Sequence, residues 1–411
     1  MACERSATWS HDAGRAFDAG AAPIYTFPRP LPDAGRLVLD ASPNADTGGR
    51  TRWRRVDQFP SITDFSGLDR MMALARQPSG EPCLAMATTE GLFFGCLADT
   101  PSLDAGPLPD TSASPEAGAH GDREWQLERI AAHPNNAWIG AQLDVTIDPE
   151  GVPWVVARQM PQRRTWLYVR ADDAWRREEI SVAHAGIDPQ LHAHRDGAVS
   201  VLHGAQESAS PPALVLSHRQ STGDWHHTPL IEAYDALPGH LHRSQLVGER
   251  FNVCSFDPGS QRITSGRTSW RLEPAGDGGA APDAGLSDTP RPTLERVTTQ
   301  PGGPFCGLDG DTMLMNESLL GAVVALRADA ATAPTGHRGA FRVLRTQAGL
   351  VTLSRSGGLL QISRAGQPPT PLTGSHETGR PLALALDEDV LIAEDPQPDG
   401  TRALSRWRAQ P

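Results

Sequence analysis

The chain has 411 residues, a formal charge of −12, 40 glycines and 36 prolines, a composition suited to short strands joined by tight turns rather than to long helices. An acidic surface repels phosphate backbones, which argues against nucleic-acid binding, and no apolar run reaches the roughly 18 residues of a transmembrane helix. All 37 basic residues are arginine, so Schiff-base lysines, phosphate-loop lysines and Ser-Lys dyads are excluded.

Residues 1–34 lack sustained periodicity and are rich in Ala, Gly, Asp and Pro, so they are read as a flexible leader ahead of a single domain over 35–411. Cys3 follows small residues and precedes a polar tail, and Asp-Ala-Gly triplets stand at 12–14, 18–20, 33–35, 104–106 and 283–285. These features resemble the tails and linkers of exported bacterial lipoproteins. The resemblance covers tail and loops alone. It implies that Cys3 is a lipid anchor and that the protein is extracellular, periplasmic or anchored in the outer membrane; a cytoplasmic protein with an ordinary surface cysteine is the alternative.

From residue 36 onward, short alternating runs follow one another. RLVLDAS (36–42) and TRWRRV (51–56) form an expected hairpin, and MMALA, PCLAMA, LFFGCLA and WQLERI make a first four-strand unit ending at 130. Residues 99–122 carry acidic side chains and almost nothing bulky to bury, so they are read as a disordered insertion, as are residues 274–293. Residues 143–180 give the most regular unit, four runs closed by a strand beginning at Trp175. Trp125, Trp175 and Trp225 recur at intervals of 50, and Trp270 follows 45 later. A four-strand repeat of this length is the signature of a β-propeller blade. In this reading QRITSG and SWRLE close the unit of residues 243–273, and AFRVLR (340–345) closes the next. The count is seven four-stranded blades, with eight the alternative, the last blade shared between the two ends of the chain so that no sheet edge is left open.

Five cysteines are present. A hairpin centred on Thr89-Glu90 sets Cys83 opposite Cys96, and Cys254 and Cys306 fall in neighbouring blades, so two candidate disulfides would suit an oxidising compartment; buried free thiols are the alternative. His192 and His194, with His240 and His242, stand two apart near the innermost strands of consecutive units. Residues i and i+2 of a strand point the same way, so four imidazoles are a candidate zinc site. Ordinary polar strand histidines are the competing reading. Asp309 and Asp311 could bind calcium, although Asp and Gly there also suit a plain turn. Asp144 with Asp148, and the Asp387-Glu388-Asp389 run, are the remaining carboxylate groupings.

The turns DPEG (148–151), RDG (195–197) and VGER (247–250), each followed by an apolar strand and a closing aromatic, make the unit resemble sialidase-type bacterial propeller repeats. The Asp-box of that family, Ser-x-Asp-x-Gly-x-Thr-Trp, is absent, and none of Tyr25, Tyr168 and Tyr234 can be assigned the place of its tyrosine nucleophile. The resemblance therefore implies architecture and no activity. The function expected is a non-catalytic, exported or cell-envelope propeller that acts as a monomer and binds a protein or glycan through a loop face or the central channel. A glycan-processing or metal-dependent hydrolase or lyase on the same scaffold is the alternative.

Overall fold

Turn chemistry sets the strand spacing. The segments starting at Gln77, Asp148, His194 and Gln220 close in one way: the first residue's N–H donates to the carbonyl four residues on, and the glycine three residues on donates back to its carbonyl. Those glycines, Gly80, Gly151, Gly197 and Gly223, have φ between 77° and 106°, a left-handed conformation that carries no Cβ penalty in glycine. The same recurrence of Gly at a fixed offset is what makes the units readable in the sequence.

The computed structural model describes residues 52–62, 72–99, 123–135, 137–180, 186–205, 213–231, 241–247, 250–257, 260, 262–271, 291–302, 305–309, 312–316, 322–326, 332–338, 340–347, 349–356, 359–364, 367–372, 383–393 and 402–410. Among the described residues there are 28 strands, each antiparallel to its sheet neighbours, and no helix. Strand β1 (Arg52–Ile62) comes first in sequence. Blade 1 is β2 (Met72–Arg76), β3 (Pro82–Ala87), β4 (Gly91–Asp99) and β5 (Arg123–Ala132). Blade 2 is β6 (Trp138–Ile147), β7 (Pro153–Met160), β8 (Arg164–Ala171) and β9 (Ala174–Ile180). Blade 3 is β10 (Ile187–Ala193), β11 (Val199–Ala205), β12 (Ala213–Arg219) and β13 (Trp225–Ile231). Blade 4 is β14 (Leu241–Val247), β15 (Arg250–Asp257), β16 (Arg262–Arg271) and β17 (Arg291–Pro301).

Blade 5 is β18 (Cys306–Asp309), β19 (Thr312–Asn316), β20 (Ala322–Leu326) and β21 (Thr332–Arg338). Blade 6 is β22 (Ala340–Thr346), β23 (Gly349–Ser356), β24 (Leu359–Arg364) and β25 (Thr370–Pro371). Blade 7 takes β26 (Ala383–Leu386), β27 (Asp389–Ala393) and β28 (Arg402–Gln410) from the end of the chain, and β1 pairs with β28 as its outer strand. This is a seven-bladed propeller closed by its termini. The innermost strands contact one another in order, β2 to β6, β10, β14, β18, β22, β26 and back to β2, so they ring a central axis.

Each interface between blades holds its own hydrophobic core. Leu84, Met86, Leu391 and Leu404 join blades 7 and 1, Ala85, Phe94, Val145 and Tyr168 join blades 1 and 2, and Val156, Leu167, Leu191 and Val201 join blades 2 and 3. Leu216 and Phe251, Phe256 and Met313, Leu314 and Ala340, and Leu353 and Val390 continue the circuit. A second strand therefore has neighbours on both faces: every described residue of β3, β11 and β27 is buried. Outer strands are wetter, and their tryptophans close the gaps. Trp175 meets Phe94 edge-on at 5.6 Å, and Trp225 donates through Nε1 to Glu178 of the preceding blade.

Two blade boundaries differ from the reading of the sequence. QRITSG and SWRLE are one strand, β16, so Trp270 lies on a third strand and not an outer one. The outer strand β17 arrives only after 272–290, a placement that matches blade 1, where 100–122 also separates the third and fourth strands. AFRVLR opens blade 6; blade 5 closes with TAPTGHR of β21, whose Pro, Gly and His hide its strand character. Residues 1–34, 36–42 and most of the two expected insertions lie outside the described residues, while Arg291–Thr293 begin β17.

Candidate functional site in the axial channel

The innermost strands of blades 2 and 3 are irregular where they face the axis. The β6–β7 register shifts between Ile139 and Leu143, next to Gly140 at φ +89°, where a Cβ would lie 2.7 Å from that of Ala87. The β10–β11 register shifts between Ile187 and Gln190, and Asp188 sits there at φ +51°. A non-glycine residue in this region is held by its surroundings. Gln142 Oε1 accepts from the Asp188 N–H at 3.0 Å, and His242 Nε2 lies 2.7 Å from the Asp188 carbonyl. Bulges of this kind re-aim side chains.

The side chains so placed carry charge. Asp144 on β6 accepts from the Leu191 N–H at 2.8 Å. Burial pushes its carboxyl up to about 6, the backbone N–H groups of Leu191 and Val145 and the charge of Arg342 opposing the rise and Asp188 adding to it. Arg342 on β22 is also desolvated. Burial, together with the like charge of Arg243, brings its guanidinium down to about 10 against the pull of Asp144. Arg243 on β14 donates to the His242 carbonyl at 2.9 Å and stands 3.9 Å from Asp188. Blade 6 adjoins neither blade 2 nor blade 4 in the ring. Arg342, on the inner strand of blade 6, is within electrostatic range of Asp144 and Arg243. Asp144, Asp188 and Arg243 thus gather on the inner strands of blades 2, 3 and 4.

The histidines of the candidate zinc site occupy other places. His192 lies against Phe251 with Nε2 2.7 Å from Ser244 Oγ; His194, in the turn position that Asp148 fills one blade earlier, has Nε2 2.8 Å from Ser200 Oγ; His242 meets the Asp188 carbonyl. His240 lies outside the described residues. Among the described residues no three His, Cys, Asp or Glu side chains come together as a metal set. Asp311 is also outside them. Tyr168 is buried in the core of blades 1 and 2 and burial pushes its phenol up to about 12, which leaves it unionised; Tyr25 and Tyr234 lie outside the described residues. Asp148 is a turn residue: its carboxylate accepts from the N–H groups of Glu150 and Val152 and from Trp154 Nε1. Asp387 pairs with Arg76 at 2.7 Å, and Asp389 binds Arg406 and Arg408. Cys83 and Cys96 form a disulfide across β3 and β4, and Cys254 and Cys306 form one between blades 4 and 5. Cys3 lies outside the described residues.

Of the axial cluster, the sequence singled out Asp144 alone. The available signal was a charged or amide residue set among apolar neighbours on each first strand: LDV, DPQL, HRSQL, FRV. A polar residue at a core-facing place is the informative exception to burial statistics.

Blade 3 also holds two His–Ser–His chains. Ser200 Oγ lies 2.8 Å from His194 and 2.9 Å from His218; Ser217 Oγ lies 2.7 Å from His203 and 2.8 Å from His227. A hydroxyl has one proton, so one ring in each chain donates and the other accepts, which requires neutral imidazole on the accepting side. Burial brings His192 down to about 4, with His194 adding to the effect. It brings His203 down to about 3, where His227, His242 and Arg158 add and the Gly204 carbonyl opposes. His218 falls to about 4 through burial and the nearby His194 and His226, against Asp196. An unfolded histidine titrates near 6.5, so between 6.5 and about 4 only the unfolded chain takes up these protons. Stability is full above pH 6.5 and declines on acidification. Asp144 acts in the opposite sense, since its raised value favours the folded state most below 3.8 and this contribution fades as pH rises through about 6. His227 is lowered in the same way, so four histidines stand against one carboxyl and stability falls on acidification from pH 6 towards 4. Urea titrations at pH 7, 6 and 5 test this: the midpoint should be lower at pH 5 than at pH 6 or 7, and a midpoint that is flat or rises in acid would refute it.

No protein-family profile matches the sequence, and no curated protein matches it. Solved structures with similar folds include a protein of unknown function from Dyadobacter fermentans, 12% identical over 87% of this chain and 99% of that one, with a TM-score of 0.43. A triple mutant of AofleA from Arthrobotrys oligospora is 10% identical over 84% and 95% of the two chains, with a TM-score of 0.40. A neuraminidase-like protein of a flat-faced bat isolate from Peru is 11% identical over 88% and 94%, with a TM-score of 0.39. At such scores these likenesses bear on neither activity nor ligand.

Proposed function

We propose that this chain is a non-catalytic, exported or cell-envelope propeller that binds a glycan at its axial channel. The observation that carries this reading is the gathering of Asp144, Asp188 and Arg243 on the inner strands of three successive blades, beside two bulged strands. Propeller function belongs to such sites and not to the scaffold. The two disulfides support an oxidising compartment, and a lipid on Cys3 would belong to the same picture. The test is a glycan array with the purified chain, followed by mass analysis of each ligand recovered after overnight incubation. Binding with unchanged ligand mass is the expected result; release of cleaved or unsaturated product would replace this reading with an enzymatic one.

One observation favours that second reading, a glycan hydrolase or lyase. A carboxyl held near 6 suits a general acid at neutral pH, and Asp144 is such a group. In that case Asp144→Asn would abolish product release even at ligand concentrations that still saturate the site.

A further inference from the structure

Near the axis, blades 3 and 4 are joined by side chains that hydrogen-bond, and histidines are prominent among them. Gln190 Nε2 donates to the His242 carbonyl at 2.6 Å, while its Oε1 accepts from the Ser244 N–H at 2.6 Å and from Ser244 Oγ at 3.0 Å. That last bond uses the one hydroxyl proton of Ser244. In the 2.7 Å contact between His192 and Ser244 the imidazole Nε2–H is therefore the donor. His242, fully buried, donates from Nε2 to the Asp188 carbonyl at 2.7 Å, with Asp188 and Arg243 the charges beside it. His192 and His194 point the same way from β10, and both meet the Phe251 ring of blade 4. Behind them, His192, Ser200, His218 and His226 are cross-strand partners in turn from β10 to β13. A row of imidazoles thus crosses the side of blade 3 that faces blade 4.

This row is poorly built to take further protons. Ser200 has a single hydroxyl proton to share between His194 Nε2 at 2.8 Å and His218 Nδ1 at 2.9 Å, so one ring accepts. A proton on that ring would set two donors against one hydroxyl and bring cations together in rings 5.2 Å apart. Asp196 acts on His218 in the favourable sense; His192 and His226 add like charge, and blade 4 offers the uncharged Ser244 and Phe251. Burial first, and neighbouring rings second, bring His192 and His218 down to about 4, whereas a histidine in water titrates near 6.5. Between those values acid favours any conformation that lets water reach the row. Parting blades 3 and 4 does so without breaking a covalent bond. Among the described residues no disulfide spans this joint, while Cys254–Cys306 ties blades 4 and 5. Parting them also releases Asp188, which His242 holds and Arg243 faces. We propose that the joint between blades 3 and 4 is an acid-sensitive hinge, which opens before the propeller unfolds, dismantles the axial group of Asp144, Asp188 and Arg243, and so releases the axial ligand. The release rests on the reading of a glycan-binding channel; the opening does not.

The test is hydrogen exchange of the full chain, read by mass spectrometry at pH 7 and pH 5 and corrected for the intrinsic effect of pH on exchange. Each histidine that takes its proton only in the open form raises the open population about twentyfold over that range. Protection of β10 and β14 should therefore fall by about that factor or more, while β3 and β27 lose less. Equal losses in all four strands would mean that acid unfolds the ring as one unit, and would overturn the hinge. Replacing His192→Gln and His218→Gln together should level the four strands, and a contrast that persists in this variant would also overturn it. Because the parent chain alone supplies the contrast between strands, a variant that folds poorly does not spoil the test. A glycan array read at pH 7 and pH 5 separates the hinge from the glycan reading. Signals present at pH 7 should fade at pH 5; signals unchanged at pH 5 would overturn the release. An array blank at both pH values would remove the glycan reading and leave the exchange pattern to decide the hinge.

Discussion

Replacing Arg406 and Arg408 together by alanine is expected to lower stability by about 3–5 kcal/mol, whereas replacing their shared partner Asp389 by alanine should cost less. Asp389 is 1% exposed. Its carboxylate accepts from Arg408 Nε at 2.7 Å and Nη2 at 2.9 Å, and from Arg406 Nε. Burial alone would raise its pKa; these two arginines hold it below the ordinary carboxylate value. Removing them strands a charge inside the protein. Removing Asp389 strands nothing, because the arginine side chains are 31% and 49% exposed and can turn to water. The group sits on β27 and β28, the strands that carry β1 and close the ring, so its loss should appear as an early opening of blade 7. Urea unfolding of the double variant at pH 7 and pH 5 gives the check. Part of the loss should return at pH 5, where the unpaired carboxyl can protonate. Equal costs for the two kinds of variant would refute the account.

The second large effect concerns Cys254 and Cys306. Their disulfide joins β15 to β18, with the Cα atoms 6.1 Å apart and a sequence separation of 52. In the chain-entropy account a cross-link of that span removes about 4 kcal/mol of unfolded-state freedom, and the 13-residue span of Cys83–Cys96 about 3 kcal/mol. The paired serine variant at 254 and 306 should therefore melt roughly 5 °C lower than the parent, and lower than the paired variant at 83 and 96. The longer bridge also stitches two blades together, whereas the shorter one crosses a hairpin already held by its own ladder. If the hairpin pair proved the more costly, native packing rather than chain entropy would set the contribution.

Hairpins were legible from residues alone because their information is local. The turn about Thr89-Glu90 sets Cys83 against Cys96, and the β3–β4 ladder has that register. The seven-blade count with shared ends followed from the spacing of turns and tryptophans. Errors arose where local pattern and strand role part company. Alternation in AFRVLR looks the same in a first strand as in a last one, and TAPTGHR carries little alternation at all. Trp270 kept the expected rhythm while sitting one strand further in.

What the sequence by itself determined is the blade: short apolar strands, glycine turns, a propeller closed by its own termini, and two cysteine pairs within reach. The tertiary structure decided the axis. Asp144, Asp188 and Arg243 span about 100 residues of the sequence and gather only because blades 2, 3 and 4 pack side by side and because the bulges at Gly140 and Asp188 redirect the inner strands. Nothing local distinguishes Arg342 from the other arginines of this chain. Its place on the inner strand of blade 6 follows only from the closed ring.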